Sequence, residues 1–211
     1  MNIAIVGANG KAGSRIAQEA LDRGHQVTAI VRDASKVTDS RAAVLEKDVF
    51  ALTAADLNSF DVVVNAFGAP FGQEHLHVEA GNVLIDALKA TPAVRLIVVG
   101  GAGSLYVDEA KTLKVVDTPG FPDFVKPTAL NQGKNLEILQ GTDALSWTFV
   151  SPSANFAVGT RTGAYVKGKD QLLVNSTGES YVSYEDYAIA IIDEIEQPQH
   201  IRERFTVVSE S

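Results

Sequence analysis

The feature that most constrains the fold is a glycine-rich segment close to the start of the chain. The segment GANGKAG, residues 7–13, follows an apolar run at residues 3–6 and precedes an amphipathic run that begins at Ala12. A strand, a glycine turn and a helix in this order present unpaired backbone N–H groups and a positive dipole end to an anionic ligand. Glycine permits the tight turn and lets a ligand approach the backbone closely. Although the spacing is G-x-x-G-x-x-G rather than the commoner G-x-G-x-x-G, this context predicts dinucleotide binding, and the alternative is a purely structural turn.

The composition argues against several other classes of protein. The chain has 211 residues, of which 45% are hydrophobic, and this suits one sizeable domain. The net charge is −8 without a basic cluster, so we expect no binding to nucleic acid. There is no cysteine, and His75 and His77 would point to different faces of a helix, so no metal site is predicted and both histidines are expected to be solvated or capping residues. Neither a signal peptide nor an apolar run of about 20 residues is found, which predicts a cytoplasmic protein that does not bind membranes.

Short apolar runs alternate with amphipathic helices along the whole chain. Residues 2–6 and 27–31 have the continuous β-branched character of buried parallel strands, and the helix between them ends at Gly24. Further strands are predicted at residues 43–48, 61–66, 94–99, 147–150 and 205–208. This alternation predicts an α/β protein with a Rossmann-type, doubly wound and mainly parallel sheet that carries helices on both faces. We expect residues 1–211 to form a single NAD(P)-binding domain with a small C-terminal lobe that covers the substrate.

The end of the second strand predicts which dinucleotide is bound. An acidic residue there binds the 2′-hydroxyl of NAD, whereas an arginine accommodates the 2′-phosphate of NADP. Arg32 ends this strand, Asp33 follows it, and Lys11 in the glycine turn supplies a second positive charge. We therefore expect NADP(H) to be preferred over NAD(H); the alternative is that both cations are simply solvated.

Other cofactor contacts are expected where the remaining strands end, because ligands of open α/β sheets bind along the carboxyl edge. Asp48 could accept a hydrogen bond from the exocyclic amine of adenine, or it could lie at the surface. The small residues that follow the fourth strand leave room for a ligand, although they also suit an ordinary turn. The predicted cofactor-binding residues are Gly7, Asn9, Gly10, Lys11, Ala12, Gly13, Arg32, Asp48, Val49, Ala66, Phe67, Gly68 and Pro152.

Two irregular segments are expected to lie above the same edge of the sheet. Residues 108–123 are polar and contain two prolines, which predicts an irregular lobe. Residues 152–182 are rich in turns and follow the sixth strand, so we expect this insertion to cover the substrate. Phe156 and Arg161 are predicted to contact a planar or anionic substrate, with loop packing as the alternative.

Ser104 is the first side chain along the chain with plausible chemistry. It follows the fifth strand, where its hydroxyl could bind the group that receives a hydride. We predict a catalytic role for Ser104; the alternative is that it caps the turn that follows.

Six segments together give the sequence a family resemblance. They are residues 7–13 (GANGKAG), 31–33 (VRD), 48–49 (DV), 145–152 (LSWTFVSP), 159–163 (GTRTG) and 183–188 (SYEDYA). With these segments the chain resembles the atypical short-chain dehydrogenase/reductase group, and within it the small NADH-flavin reductases related to biliverdin and flavin reductases. The first three segments are common to many cofactor-binding families, whereas the last three are more specific to this group. The resemblance implies NAD(P)H bound across the carboxyl edge of the sheet and hydride delivery to a flavin or similar planar acceptor.

The sequence departs from the wider superfamily at its usual Tyr-x-x-x-Lys pair. The nearest match is residues 130–134, where Leu130 stands in the tyrosine position and cannot donate a proton. Lys134 alone is expected to be solvated, so alcohol–ketone chemistry by this pair is not expected. A flavin can do without a dedicated acid because its conjugated ring delocalises the negative charge, so that stacking and orientation supply much of the catalysis.

These observations lead to one principal hypothesis and two alternatives. The principal hypothesis is NAD(P)H-dependent reduction of a flavin or related planar acceptor held near Ser104, Phe67 and Phe156. The first alternative is a protein that senses NADP(H) without turning it over, which the missing tyrosine would suit. The second is a partner-binding module with a vestigial site.

Overall fold

The apolar runs of the sequence form the centre of one large sheet in the computed structural model, which describes residues 1–210. The strands are β1 (Asn2–Val6), β2 (Gln26–Val31), β3 (Ala43–Glu46), β4 (Val62–Asn65), β5 (Arg95–Val99), β6 (Trp147–Ser151), β7 (Asn155–Ala157), β8 (Tyr165–Gly168), β9 (Tyr181–Ser183) and β10 (Glu203–Ser209). Eight of them form the main sheet in the order β3-β2-β1-β4-β5-β6-β10-β8, and β7 pairs with β9 separately. All neighbours in the main sheet are parallel except β8 and β10. The order reverses between β1 and β4, which is the switch point where doubly wound folds bind ligands.

Helices cover both faces of this sheet. They are α1 (Lys11–Asp22), α2 (Ala54–Leu57), α3 (Leu76–Lys89), α4 (Lys126–Gln140) and α5 (Tyr184–Glu196). On one face α1 and α5 pack against each other and bury Ile16 and Ile191, while α2, α3 and α4 cover the other face and bury Leu57, Leu84 and Leu136. The central strands β1, β2, β4, β5 and β6 are buried from both sides, which explains their unbroken apolar runs. The prediction of a Rossmann-type α/β fold is confirmed.

Three backbone segments meet at the glycine turn. Gly7 has a φ of +78°, and a Cβ on it would lie 2.6 Å from the carbonyl oxygen of Ala66. A Cβ on Gly13 would overlap the carbonyl oxygen of Gly7. Glycine at these two positions therefore sets how closely α1 approaches β1 and how closely the turn approaches the end of β4.

The segment expected to cover the substrate divides into two parts. Its first residues, up to β7, lie at the carboxyl edge of the sheet beyond the end of β6. The later part forms β8, whose Tyr165 and Val166 pair with Ser209 and Val208 of β10. This pairing satisfies backbone groups that β10 would otherwise expose as an edge strand, so this part of residues 152–182 extends the sheet instead of covering a substrate.

None of the described helices combines the length and the apolar character that a membrane crossing requires.

Replacing Gly13 by alanine is expected to lower the free energy of unfolding by about 1–3 kcal/mol, because the added Cβ forces α1 away from Gly7. Gly133→Ala is the matched control, since its Cβ would have only an ordinary 3.6 Å contact with the Cβ of Ser104. Alanine in that helix interior should be neutral or raise stability by up to about 1 kcal/mol. Urea unfolding of both variants measures the difference, and equal stabilities would contradict the packing role of Gly13.

Candidate functional site

A cleft of about 1040 Å³ lies along the carboxyl edge of the sheet. Six strands of the main sheet end at this cleft, and their last or following residues line it: Gly7 after β1, Val31 of β2, Lys47 after β3, Ala66 after β4, Val99 of β5 and Pro152 after β6. We call the side beside β2 and β3 the β2 end, and the side beside β5 and β6 the β6 end. The cleft thus crosses the switch point of the sheet, where open α/β folds bind their ligands.

The glycine turn leaves the start of α1 open to this cleft. Lys11 and Ala12, the first residues of α1, line the cleft, and no side chain caps the first turn. The N–H of Gly10 donates to the carbonyl of Gly7 at 2.9 Å, and the N–H of Ser14 donates to the carbonyl of Gly10 at 2.9 Å. Uncapped N–H groups, the helix dipole and the Lys11 ammonium together suit an anionic ligand such as a phosphate.

Asn9 fixes the glycine turn to the end of β2. Its side-chain amide nitrogen donates to the carbonyl of Asp33 at 3.2 Å, and Asn9 also lines the cleft. This contact positions the turn, and the predicted binding of a cofactor by Asn9 stays a prediction.

Charges at the β2 end favour a ligand with an extra negative group. Arg32 is exposed, lines the cleft and forms no ion pair or side-chain hydrogen bond with residues 1–210. The Asp33 carboxylate is engaged locally, since it accepts from the Ser35 hydroxyl at 2.6 Å and from the Ser35 N–H at 3.1 Å. It also pairs with Lys36 at 3.3 Å, and the Ser35 and Lys36 contacts lower the pKa of Asp33. The Arg32 guanidinium, which has no side-chain partner in the described part of the chain, thus stands beside a carboxylate that already has its own partners.

The prediction for Asp48 needs correction, while that for Val49 agrees with the cleft lining. The Asp48 carboxylate accepts from the N–H of Phe50 at 3.0 Å and caps the short helical turn that follows β3. Asp48 does not line the cleft, whereas Val49 does. The carboxylate is held by its own turn because an Asp at a helix N-cap satisfies an otherwise unpaired N–H.

The middle of the cleft is aromatic and contains a histidine that sequence reasoning placed wrongly. Ala66, Phe67 and Gly68 line it as predicted, and the Phe67 ring meets the His77 ring edge-on at 5.9 Å. His77 lines the cleft and is only 8% exposed, whereas the sequence predicts a solvated or capping side chain. Burial lowers the pKa of His77, so the imidazole is neutral near neutral pH. Helical periodicity could have located it, because His77 lies three residues before buried Ala80 on the same face of α3.

The β6 end is built from three segments. They are residues 100–103 after β5, residues 115–132 up to the first turns of α4, and residues 152–156 after β6, and Tyr184 of α5 lies beside them. The second segment includes part of the irregular lobe that the sequence predicts over this edge. The side chains here are aromatic or neutral, with Phe121, Phe156 and Tyr184 beside Thr128 and Gln132.

Phe156 lies in the cleft as predicted, and Tyr184 accompanies it. The two rings are 4.1 Å apart, and Phe156 also packs on the ring of Tyr187 at 4.7 Å. Burial raises the pKa of Tyr184, which keeps its phenol protonated. The sequence indicates Tyr184 only as the first residue after the Ser183 helix cap, so its place in the cleft is a tertiary result.

Ser104 lies outside the cleft, so the predicted contact with a hydride acceptor is not formed. Ser104 is 8% exposed, and its hydroxyl accepts from Arg204 at 2.9 Å. Arg204 is itself buried and also binds Asp170 at 2.8 Å, so the serine satisfies a buried guanidinium. Ser104 instead borders a separate cavity of about 190 Å³ together with Leu130 and Lys134. The remnant of the Tyr-x-x-x-Lys pair therefore faces away from the cleft.

Arg161 and Gly13 also take structural positions. Arg161 donates to both carboxylate oxygens of Glu19 at 2.8 Å and does not line the cleft. Glu19 is nearly buried and is bound by Arg23 as well, and the hydrogen bond from Arg161 contributes most to its lowered pKa. Gly13 does not line the cleft either; it supports the turn through its close approach to Gly7.

Replacing Ser104 by alanine is expected to cost about 1–2 kcal/mol of stability, because the buried Arg204 guanidinium loses one acceptor. The affinity for NADPH should stay within twofold, since Ser104 does not reach the cleft. Urea unfolding and calorimetric titration measure the two quantities. A large loss of NADPH affinity in a folded Ser104→Ala variant would show that Ser104 contributes to the binding site.

The site agrees with what the chain resembles. Residues 7–198 match a family of proteins described as NAD(P)H-binding. The chain is 63% identical over 212 residues to the uncharacterized protein YwnB of Bacillus subtilis (strain 168), and all of both chains is covered. A crystal structure from Streptococcus pneumoniae TIGR4, provisionally named as an NADH-flavin reductase, is 43% identical with full coverage of both chains and a TM-score of 0.94.

A more distant structure shares the fold alone. ChuY of Escherichia coli O157:H7, described as an anaerobillin reductase, is 19% identical, covers 99% of this chain and 97% of its own, and has a TM-score of 0.79. The family match, the close relatives and the open glycine turn confirm the resemblance carried by the sequence segments. The chain belongs to the NAD(P)H-binding family.

Proposed function

We propose that this protein is an NADP(H)-dependent reductase that transfers a hydride to a flavin or a similar planar acceptor. The observation that carries the proposal is that the two ends of one cleft differ in the charge and the type of their side chains. Its β2 end has cationic side chains and includes the uncapped first turn of α1. The side chains of its β6 end are aromatic or neutral. A dinucleotide that spans the switch point would bring its phosphates to the first end and its nicotinamide toward the second.

The residues of the cleft fit a dinucleotide. A Cβ on Gly7 would lie 2.6 Å from the carbonyl oxygen of Ala66, and a Cβ on Gly10 would lie 3.1 Å from the carbonyl oxygen of Gly7. Glycine at both positions therefore avoids these close contacts in the turn. The volume of about 1040 Å³ is at the top of the roughly 300–1,000 Å³ range of small-molecule sites. It is sufficient to support the proposal that cofactor and acceptor share the cleft.

When bound, NADPH would supply two electrons and one hydrogen as a hydride, so that NADPH, H⁺ and the oxidised acceptor give NADP⁺ and the reduced acceptor. The chain would hold the planar acceptor against Phe156 and Tyr184 and exclude water from it with the loop that contains Phe121. Leu130 and Lys134, which occupy the positions of the usual pair, lie outside the cleft together with Ser104, so none of the three supplies an acid there. An acceptor with a conjugated ring suits this arrangement, because orientation and stacking supply much of the acceleration.

The β2 end supports a preference for NADP(H) over NAD(H). The Arg32 guanidinium is available to a 2′-phosphate, and Lys36 and Lys11 line the same region. Asp33, the residue that would otherwise bind a 2′-hydroxyl, is occupied by Ser35. Phosphate is therefore the better-supported partner of this strand end.

The reductase proposal is tested by following the oxidation of NADPH at 340 nm with riboflavin, FMN and a quinone. We expect acceptor-dependent oxidation well above the rate with oxygen alone, which serves as the control. Calorimetric binding of NADPH without turnover of any acceptor would contradict the proposal. It would favour the NADP(H)-sensing alternative, which the position of Ser104 and Leu130 outside the cleft also suits.

Replacing Arg32 by alanine is expected to weaken NADPH binding roughly 10- to 100-fold, the range for a lost charge-assisted hydrogen bond. NADH affinity should stay within twofold, because NADH lacks the 2′-phosphate. Arg41→Ala is the matched control: Arg41 pairs with Asp39 at 2.6 Å and with Asp22 at 2.9 Å and does not line the cleft. Calorimetry with both cofactors measures the effect, and equal losses for NADPH and NADH would argue against a 2′-phosphate contact.

A further inference from the structure

The cationic side chains of the cleft lie at one end only. Lys11, Arg32, Lys36 and Lys47 all belong to segments beside β1, β2 and β3. Within residues 1–210 the lining of the β6 end, from the end of β5 through Tyr184, includes no lysine, arginine or histidine. His77 lies between the two ends. Burial lowers its pKa, so its imidazole is neutral near neutral pH.

The polar groups at the β6 end are all uncharged. Thr128 and Gln132 supply a hydroxyl and an amide, and the raised pKa of Tyr184 keeps its phenol neutral. The Ser153 hydroxyl is turned away, since it donates to the buried carbonyl of Val207 at 2.8 Å. The side chains here offer a ligand hydrogen bonds and aromatic surface, but none of them is a cation.

Cations near this end are engaged elsewhere or point to solvent. Arg15 donates to Glu185 at 3.1 Å, and Arg161 is bound to Glu19. Lys126 is exposed and does not line the cleft. The lobe that leads into α4 also carries Asp117 and Asp123, and the whole chain has a net charge of −8. These two carboxylates do not line the cleft, but no described cationic side chain does so at this end either, so a phosphate or carboxylate on the acceptor would be desolvated without a cation to compensate it.

We infer that the acceptor is an uncharged planar ring, of the class of an unphosphorylated flavin or an uncharged quinone. This inference rests on the proposed reductase function and specifies its substrate class. With a quinone, bound NADPH would lose the hydrogen of its nicotinamide C4–H bond together with the bonding electron pair, the quinone would gain this hydride and one proton from solvent to become the hydroquinone, and NADP⁺ would be the other product. The cationic side chains at the β2 end then neutralise only the negative charge of the dinucleotide.

Riboflavin and FMN test this inference, because they share one ring system and differ only in a phosphate. FMN carries about −1.5 to −2 on that phosphate at neutral pH. We expect kcat/KM for riboflavin to exceed that for FMN by about tenfold at low ionic strength, with the ratio narrowing as salt screens the repulsion. Equal values, or a preference for FMN, would overturn the inference and leave the reductase proposal standing.

A binding measurement separates this inference from the reductase proposal. The protein saturated with NADP⁺ is titrated with riboflavin and with FMN, and quenching of flavin fluorescence reports binding without turnover. Tighter binding of riboflavin supports the uncharged acceptor site even if NADPH oxidation fails, in which case only the reductase proposal is lost. Failure of riboflavin to bind, or tighter binding of FMN, overturns the inference.

Two lysine variants on one helix provide matched controls. Thr128 lines the cleft, so Thr128→Lys should raise the affinity for FMN relative to riboflavin by about tenfold, the effect expected of one new charge-assisted contact. Leu130 is 52% exposed and lies outside the cleft, so Leu130→Lys adds the same charge to α4 without changing the ratio. An equal change in both variants would show that the selectivity follows overall charge, and this would contradict the inference.

Discussion

The close approach of three backbone segments at the glycine turn underlies the rest of the site. Gly13 lets α1 approach the carbonyl of Gly7, and Gly7 lets the turn approach Ala66 at the end of β4. This geometry opens the first turn of α1 to the cleft at the switch point between β1 and β4. A side chain at either glycine would move the helix, and with it the N–H groups that suit a phosphate.

The two ends of the cleft differ in charge. Each carboxylate near the β2 end has a local partner, as Asp33 has Ser35 and Asp48 has the N–H of Phe50, which leaves Arg32 available. The aromatic pair Phe156 and Tyr184 stands at the other end, where the lining carries no cation among the described residues. One continuous cleft can therefore treat an anionic cofactor and a neutral ring differently.

The errors of sequence reasoning have a common physical cause. Ser104 is bound by Arg204, which lies 100 residues away, and Arg161 is bound by Glu19, 142 residues away. Buried or half-buried charges need partners, and they recruit whichever polar side chain the fold brings near. Ser104 and Arg161 are therefore bound within the protein, although their positions along the chain suggest contact with a ligand. Their partners are distant in sequence, so the local sequence pattern does not reveal them.

The sequence by itself determined the Rossmann-type α/β fold, the glycine turn and the position of Arg32. These follow from local rules, since strand and helix periodicity, glycine spacing and the end of a strand are all readable within about 30 residues. Only the tertiary structure decided that His77 and Tyr184 line the cleft and that Ser104 does not. These outcomes depend on which distant segments pack together and which polar groups they satisfy, and such contacts form only when the whole sheet and its helices close around the core.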